Sequence, residues 1–135
     1  MHDHCSYDYA VVRVVPRVDR EEFVNVGVIA WCAAKDILEA RFDLQEARVL
    51  ALDPGADLDA IHKHLDSIAI ICGGGEAAGP IGRLSKRDRF GWLIAPRSTI
   101  IQTSSVHTGR CTDFPATLEH LLDVMVRPIR KPEIR

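Results

Sequence analysis

Three runs of strand-forming residues joined by short connections open this 135-residue chain and constrain its fold more than any other feature. YDYAVVRVV (7–15), FVNVGVIAWC (23–32) and ILEARF (37–42) are rich in valine, isoleucine and aromatic residues. These types suit a pleated, half-buried surface. Pro16 stops the first run, because proline cannot donate to a ladder. Residues 33–36 alone join the second run to the third. Connections this short leave no room for a crossover, so the runs predict an antiparallel meander.

Side chains alternate across a strand, which sorts the three runs into faces. Val24, Val26, Val28, Ala30 and Cys32 fall on one side of the second strand. Ala10, Val12 and Val14 match them on the first strand, and Leu38, Ala40 and Phe42 on the third. That side is the predicted core. Tyr7, Tyr9, Arg13, Asn25, Gly27, Trp31, Glu39 and Arg41 are then expected to look outward. If Val15 pairs with Phe23, Arg13 lies opposite Asn25, and Arg41 comes beside Asn25 or Gly27.

The remainder alternates helical and turn signals. A short helical turn over 44–52 stops before Asp53-Pro54-Gly55. Asp57 is placed to cap a helix running to about Cys72, with Leu58, Ile61, Leu65, Ile68 and Cys72 as its apolar stripe. GGGEAAGPIG (73–82) reads as a loop whose glycines stop that helix. Ser85 with Asp88 signals a capped helix over 86–94, closed by Pro96. Residues 97–103 suit a fourth strand and 104–111 a loop. Thr112 or Asp113 caps a last helix, whose buried face is Phe114, Leu118, Leu121, Leu122 and Met125. The predicted class is α+β: an antiparallel sheet of about four strands, the meander plus one later strand, with helices packed on one face. One domain accounts for 1–135, with flexible termini at 1–6 and 128–135.

Charge narrows the function classes. The 17 basic and 19 acidic residues leave a net charge of −2, so no global field draws the chain to nucleic acid or a membrane. No helix-turn-helix or RNA-binding pattern is present, and nucleic acid is not an expected partner. Cys5, Cys32, Cys72 and Cys111 lack zinc spacing, and Cys32 and Cys72 sit in apolar runs as small core residues. With no signal-peptide pattern and no bilayer-length apolar run, a cytosolic protein with reduced thiols is expected. The glycines at 73–75 do not make a phosphate loop, since the lysine and serine or threonine of that motif are missing. No cofactor motif, metal motif or nucleophile elbow appears.

Charge is nonetheless segregated. Residues 83–110 carry six bases against Asp88 alone. The helix start at 83–89 adds arginines to free N–H groups, which suits an anion. Arg97, Ser98 and Thr99 precede the fourth strand, and Ser104, Ser105, His107 and Thr108 follow it. Arginine binds phosphate or carboxylate bidentately, and His107 could serve as general acid or base. Arg89, Arg97, Ser98, Thr99, His107 and Thr108 are thus one candidate binding set. Arg13, Glu22, Asn25 and Arg41 on the outer sheet face are another.

YDYAVVRVVPRVDREEFVNVGVIAW together with RFGWLIAPRSTIIQTSSVHTG resembles the bacterial family catalogued as domain of unknown function 3037. The likeness covers most of residues 6–127 and is densest at Arg13 and Glu22 to Gly27. Members of that family are often encoded beside a kinase resembling the HipA type, a serine/threonine kinase of toxin–antitoxin systems. The resemblance therefore implies a small partner or regulatory subunit and assigns no catalytic residue. Three readings stand at this point. The first is a module docking on a protein partner, through a patch around Trp31, Tyr7 and Tyr9. The second is a phosphate-binding or phosphoester-processing protein that needs Arg97 and His107 to converge. The third is a homodimer without a small ligand, joined through an edge strand.

Overall fold

The computed structural model describes residues 4–130; parts of the two segments expected to be flexible termini, residues 1–3 and 131–135, lie outside them. The architecture is α+β, with five antiparallel strands. The meander forms as expected from β1 (Cys5–Val14), β2 (Val24–Cys32) and β3 (Ile37–Phe42). β1 starts inside the segment expected to be a flexible terminus. Helices α1 (Glu46–Leu52), α2 (Leu58–Gly73) and α3 (Lys86–Leu93) follow, with a 3-10 segment at Glu76–Arg83 in the predicted loop. Then come β4 (Ile101–Thr103), β5 (His107–Cys111) and α4 (Phe114–Met125). The strand order is β3-β2-β1-β4, and β5 also pairs with β1. β1 is therefore flanked on one side by β2 and on the other by β4 and β5 in succession. No described helix is long and apolar enough to cross a membrane.

The capping signals behave as the sequence predicts. Asp57 Oδ1 accepts from the Ala60 amide at 3.0 Å, Ser85 Oγ from Asp88 at 3.1 Å, and Asp113 Oδ1 from Ala116 at 3.1 Å. Each side chain satisfies one amide that the first turn leaves without a partner. At the other end of α2, Gly74 takes φ of 70° and its N–H returns to the Ile70 and Ile71 carbonyls.

Two expectations about the sheet are corrected. Arg13 does pair with Asn25, but Val12 pairs with Gly27, so Val26 is an extra residue, a β-bulge. A bulge shifts the side-chain phase by one residue. Val28, Ala30 and Cys32 therefore leave the face of Val12 and join that of Tyr7. Trp31 moves the opposite way and packs with the cluster containing Val12, Val14 and Ile29. The second correction concerns the helices, which cover both faces. Ile61 and Leu65 of α2 and Phe90 and Leu93 of α3 pack with Val12, Ile29 and Leu38. Phe114, Leu118, Leu121 and Leu122 of α4 pack with Tyr7, Val28 and Ala30. Consecutive buried residues on β2, from Val26 to Ala30, are what a strand covered on both sides requires.

Candidate functional site

Asn25, which carries part of the family resemblance, seats the end of α4 together with Arg48. Asn25 Nδ2 donates to the Met125 carbonyl at 2.9 Å, and Arg48 Nη1 donates to the Val126 carbonyl at 2.8 Å. These are carbonyls that the last helical turn leaves open. Across the strand pair, the Arg13 guanidinium stacks on Phe23 with its carbon 4.2 Å from the ring centroid. Arg13 Nε and Asn25 Oδ1 are buried without hydrogen-bond partners. Gly27 lies under Phe42, where a methyl group would also meet the Arg41 carbonyl oxygen at 2.6 Å. Glu22 turns away to an exposed pair with Arg20 at 2.6 Å.

Arg41 does not join Arg13. It pairs across the strands with Val28 and is held by acids, Glu39 at 2.8 Å and Glu119 at 3.2 Å. Arg127 extends this network to Asp43 at 2.8 Å, Glu119 at 2.9 Å and Asp123 at 2.8 Å. Its hydrogen bonds hold the carboxyls of Asp43 and Glu119 below their ordinary values of 3.8 and 4.5. A carboxylate depressed in the fold stabilises fully above its unfolded value and loses that contribution as pH falls through the folded value. Arg127→Gln is therefore expected to lower stability at neutral pH, with the gap to wild type closing below pH 3.8. Urea titrations at pH 7 and about pH 2 read the difference; a gap of equal size at both values would refute the assignment.

The basic segment divides. Arg89 is buried, and its guanidinium faces backbone carbonyls. Its Nη1 donates to the Leu84 carbonyl at 2.8 Å and its Nη2 to the Cys72 carbonyl at 3.3 Å. Arg89, expected to help hold an anion at the start of α3, instead reaches back with its side chain to the C-terminal end of α2, the negative pole of that helix. Burial there also pushes the Cys72 thiol up to about 12, so it stays protonated at neutral pH.

Arg97 and His107 do not converge. The His107 ring lies 5.4 Å from that of Tyr9, which packs with the α4 cluster. Thr108 donates its hydroxyl to Asp8 at 2.8 Å. Arg97 is on the other face, where its guanidinium carbon sits 4.4 Å from the Trp92 ring centroid. Its Nη1 and Nη2 donate to the Leu93 and Trp92 carbonyls at 3.0 and 2.7 Å, closing the end of α3. No ion pair to Arg97 occurs among the described residues. Thr99 Oγ1 donates to the Ile101 carbonyl at 2.8 Å, and Ser98 is exposed nearby.

Arg97 and Thr99 line a cavity of about 250 Å³ between α2, α3 and β4. Ile68, Ile71, Leu93 and Ile101 give it an apolar interior, and His64 stands in its wall. Sequence reasoning reached Arg97 and Thr99 but not the cavity. The available signal was the run of apolar residues at 68–71, wider than one core stripe needs. The expected patch of Trp31, Tyr7 and Tyr9 does not form. Tyr7 is buried edge-on against Phe114, and Trp31 is on the opposite face.

These features define a small α+β domain built on one antiparallel sheet between two helical layers. The chain belongs to the family described as protein of unknown function (DUF3037), which matches residues 9–126. Neither the curated proteins nor the solved structures include a match to it.

Proposed function

We propose that this chain is a non-catalytic module that docks on a protein partner through the start of β2 and the end of α4. The observation that carries the reading is Phe23. It is 45% exposed, stacked on Arg13, and placed two residues before the asparagine that holds Met125. Val124 and Met125 are further exposed apolar residues at the end of α4. No acid pairs with Arg13 among the described residues. Aromatic and arginine side chains supply most interface hot spots, so an exposed ring stacked on a half-buried arginine suits a partner with an apolar pocket rimmed by carboxylates. The family resemblance points to a HipA-like serine/threonine kinase as that partner. Four cysteines, all buried and none in a disulfide, suit a cytosolic setting.

Sedimentation velocity with a purified HipA-like kinase encoded beside a member of this family tests the reading. The chain alone is expected to sediment as a monomer and to form a complex with the kinase. Phe23→Asp is expected to weaken that complex by about thirtyfold or more. Absence of a complex, or one indifferent to Phe23→Asp, overturns the proposal. So does a dimer of the chain alone that Phe23→Asp dissociates, which would make the surface a homodimer interface.

A further inference from the structure

The geometry points to the cavity between α2, α3 and β4 as a binding site for a small apolar monocarboxylate, independent of the docking surface. Three observations combine. First, the interior is aliphatic: Ile68 and Ile71 from α2, Leu93 from α3 and Ile101 from β4. An aliphatic interior of this kind favours the apolar part of a ligand. Second, the wall carries one arginine whose charge no acid among the described residues meets. Arg97 is fixed by stacking on Trp92 and by bonds to two helix-end carbonyls, and these leave its remaining N–H donors for another acceptor. A half-buried guanidinium in a fixed pose loses little freedom on meeting a carboxylate. Third, the cation count selects the anion. Arg97 is the only lysine or arginine among the lining residues, which matches one negative charge and not a phosphate dianion.

Size sets the ligand. A cavity of about 250 Å³ is smaller than a drug-sized pocket. At roughly 30 Å³ for each small group it holds about eight heavy atoms. The hydrocarbon tail of octanoate fits that space, with its carboxylate left at Arg97. Thr99 and His64 also line the cavity and offer polar groups.

The test is an amide-resolved NMR titration of the full chain with sodium octanoate and, separately, with 1-octanol. Octanoate is expected to saturate shifts in residues 64–71 and 92–103 and to bind about tenfold more tightly than octanol. Arg97→Gln should erase that preference and leave octanol affinity unchanged. Should Arg97→Gln disturb α3, Ile68→Trp decides alone, since it fills the cavity from α2 and should abolish the octanoate shifts. The proposal is overturned if neither ligand gives saturable shifts at millimolar concentration, or if the shifts map elsewhere. It is equally overturned if octanol binds as well as octanoate, if Arg97→Gln keeps the preference, or if octanoate still binds Ile68→Trp.

Discussion

Arg89→Ala is expected to destabilise the fold by about 3 kcal/mol, an effect far larger than a surface arginine would produce. The side chain is only 6% exposed and ties the last turn of α2 to the residue before the cap of α3. Truncation leaves the Cys72 and Leu84 carbonyls without a donor from this side chain. It also opens a void beside Gly74 and removes a cation from a helix C-terminus. Arg89→Met separates these causes, because it keeps most of the volume and deletes only the polar contacts. Its cost should be about half that of alanine. Urea midpoints for both variants measure the two losses. If Arg89→Ala costs less than about 1 kcal/mol, the guanidinium is not what joins the two helices.

Gly27→Ala is expected to cost about 3 kcal/mol for a different reason. The added methyl group would meet the backbone oxygen of Arg41 at 2.6 Å as well as the Phe42 ring. A ring can rotate aside, but a ladder carbonyl cannot move without displacing β3. Gly73→Ala is the matched control. Nothing lies within 4 Å of the methyl it would add at the end of α2, and alanine there should stabilise by about 0.5 kcal/mol. Thermal or urea unfolding of the pair should give shifts of opposite sign. Shifts of equal size would mean that β2 and β3 are not packed as closely as described.

Much of this architecture was legible from residues 5–42. Period-2 patterning and short connections located the meander and put Arg13 opposite Asn25. Asp57, Ser85 and Asp113 marked helix starts because capping chemistry is local. The bulge at Val26 was not read, although an isolated glycine within a strand pattern, here Gly27, is a recognised hint of one. That single residue reversed the assignment of Val28, Ala30 and Trp31 to faces and hid the second helical layer. β5 was missed because HTGRC has little strand propensity of its own; pairing with residues 5–9 of β1 makes it a strand. For the candidate site, the sequence could nominate arginines but could not say what they touch. Arg89 reaches a helix end, Arg41 reaches acids, and Arg97 lines the cavity between α2, α3 and β4. The contacts of Arg41 with Glu119 and of Arg89 with Cys72 join residues distant in sequence and depend on packing, which composition does not encode.

The place of β1 in the sheet has a consequence for biosynthesis. It is translated well before its partners on one side, residues 101–103 and 107–111. A nascent chain that has emerged only as far as α3 presents half of its central strand with open hydrogen-bonding groups. Such an intermediate is prone to pair with other chains until residues 101–111 arrive. Truncations that stop short of Cys111 should accordingly go into inclusion bodies, not merely fold with lower stability.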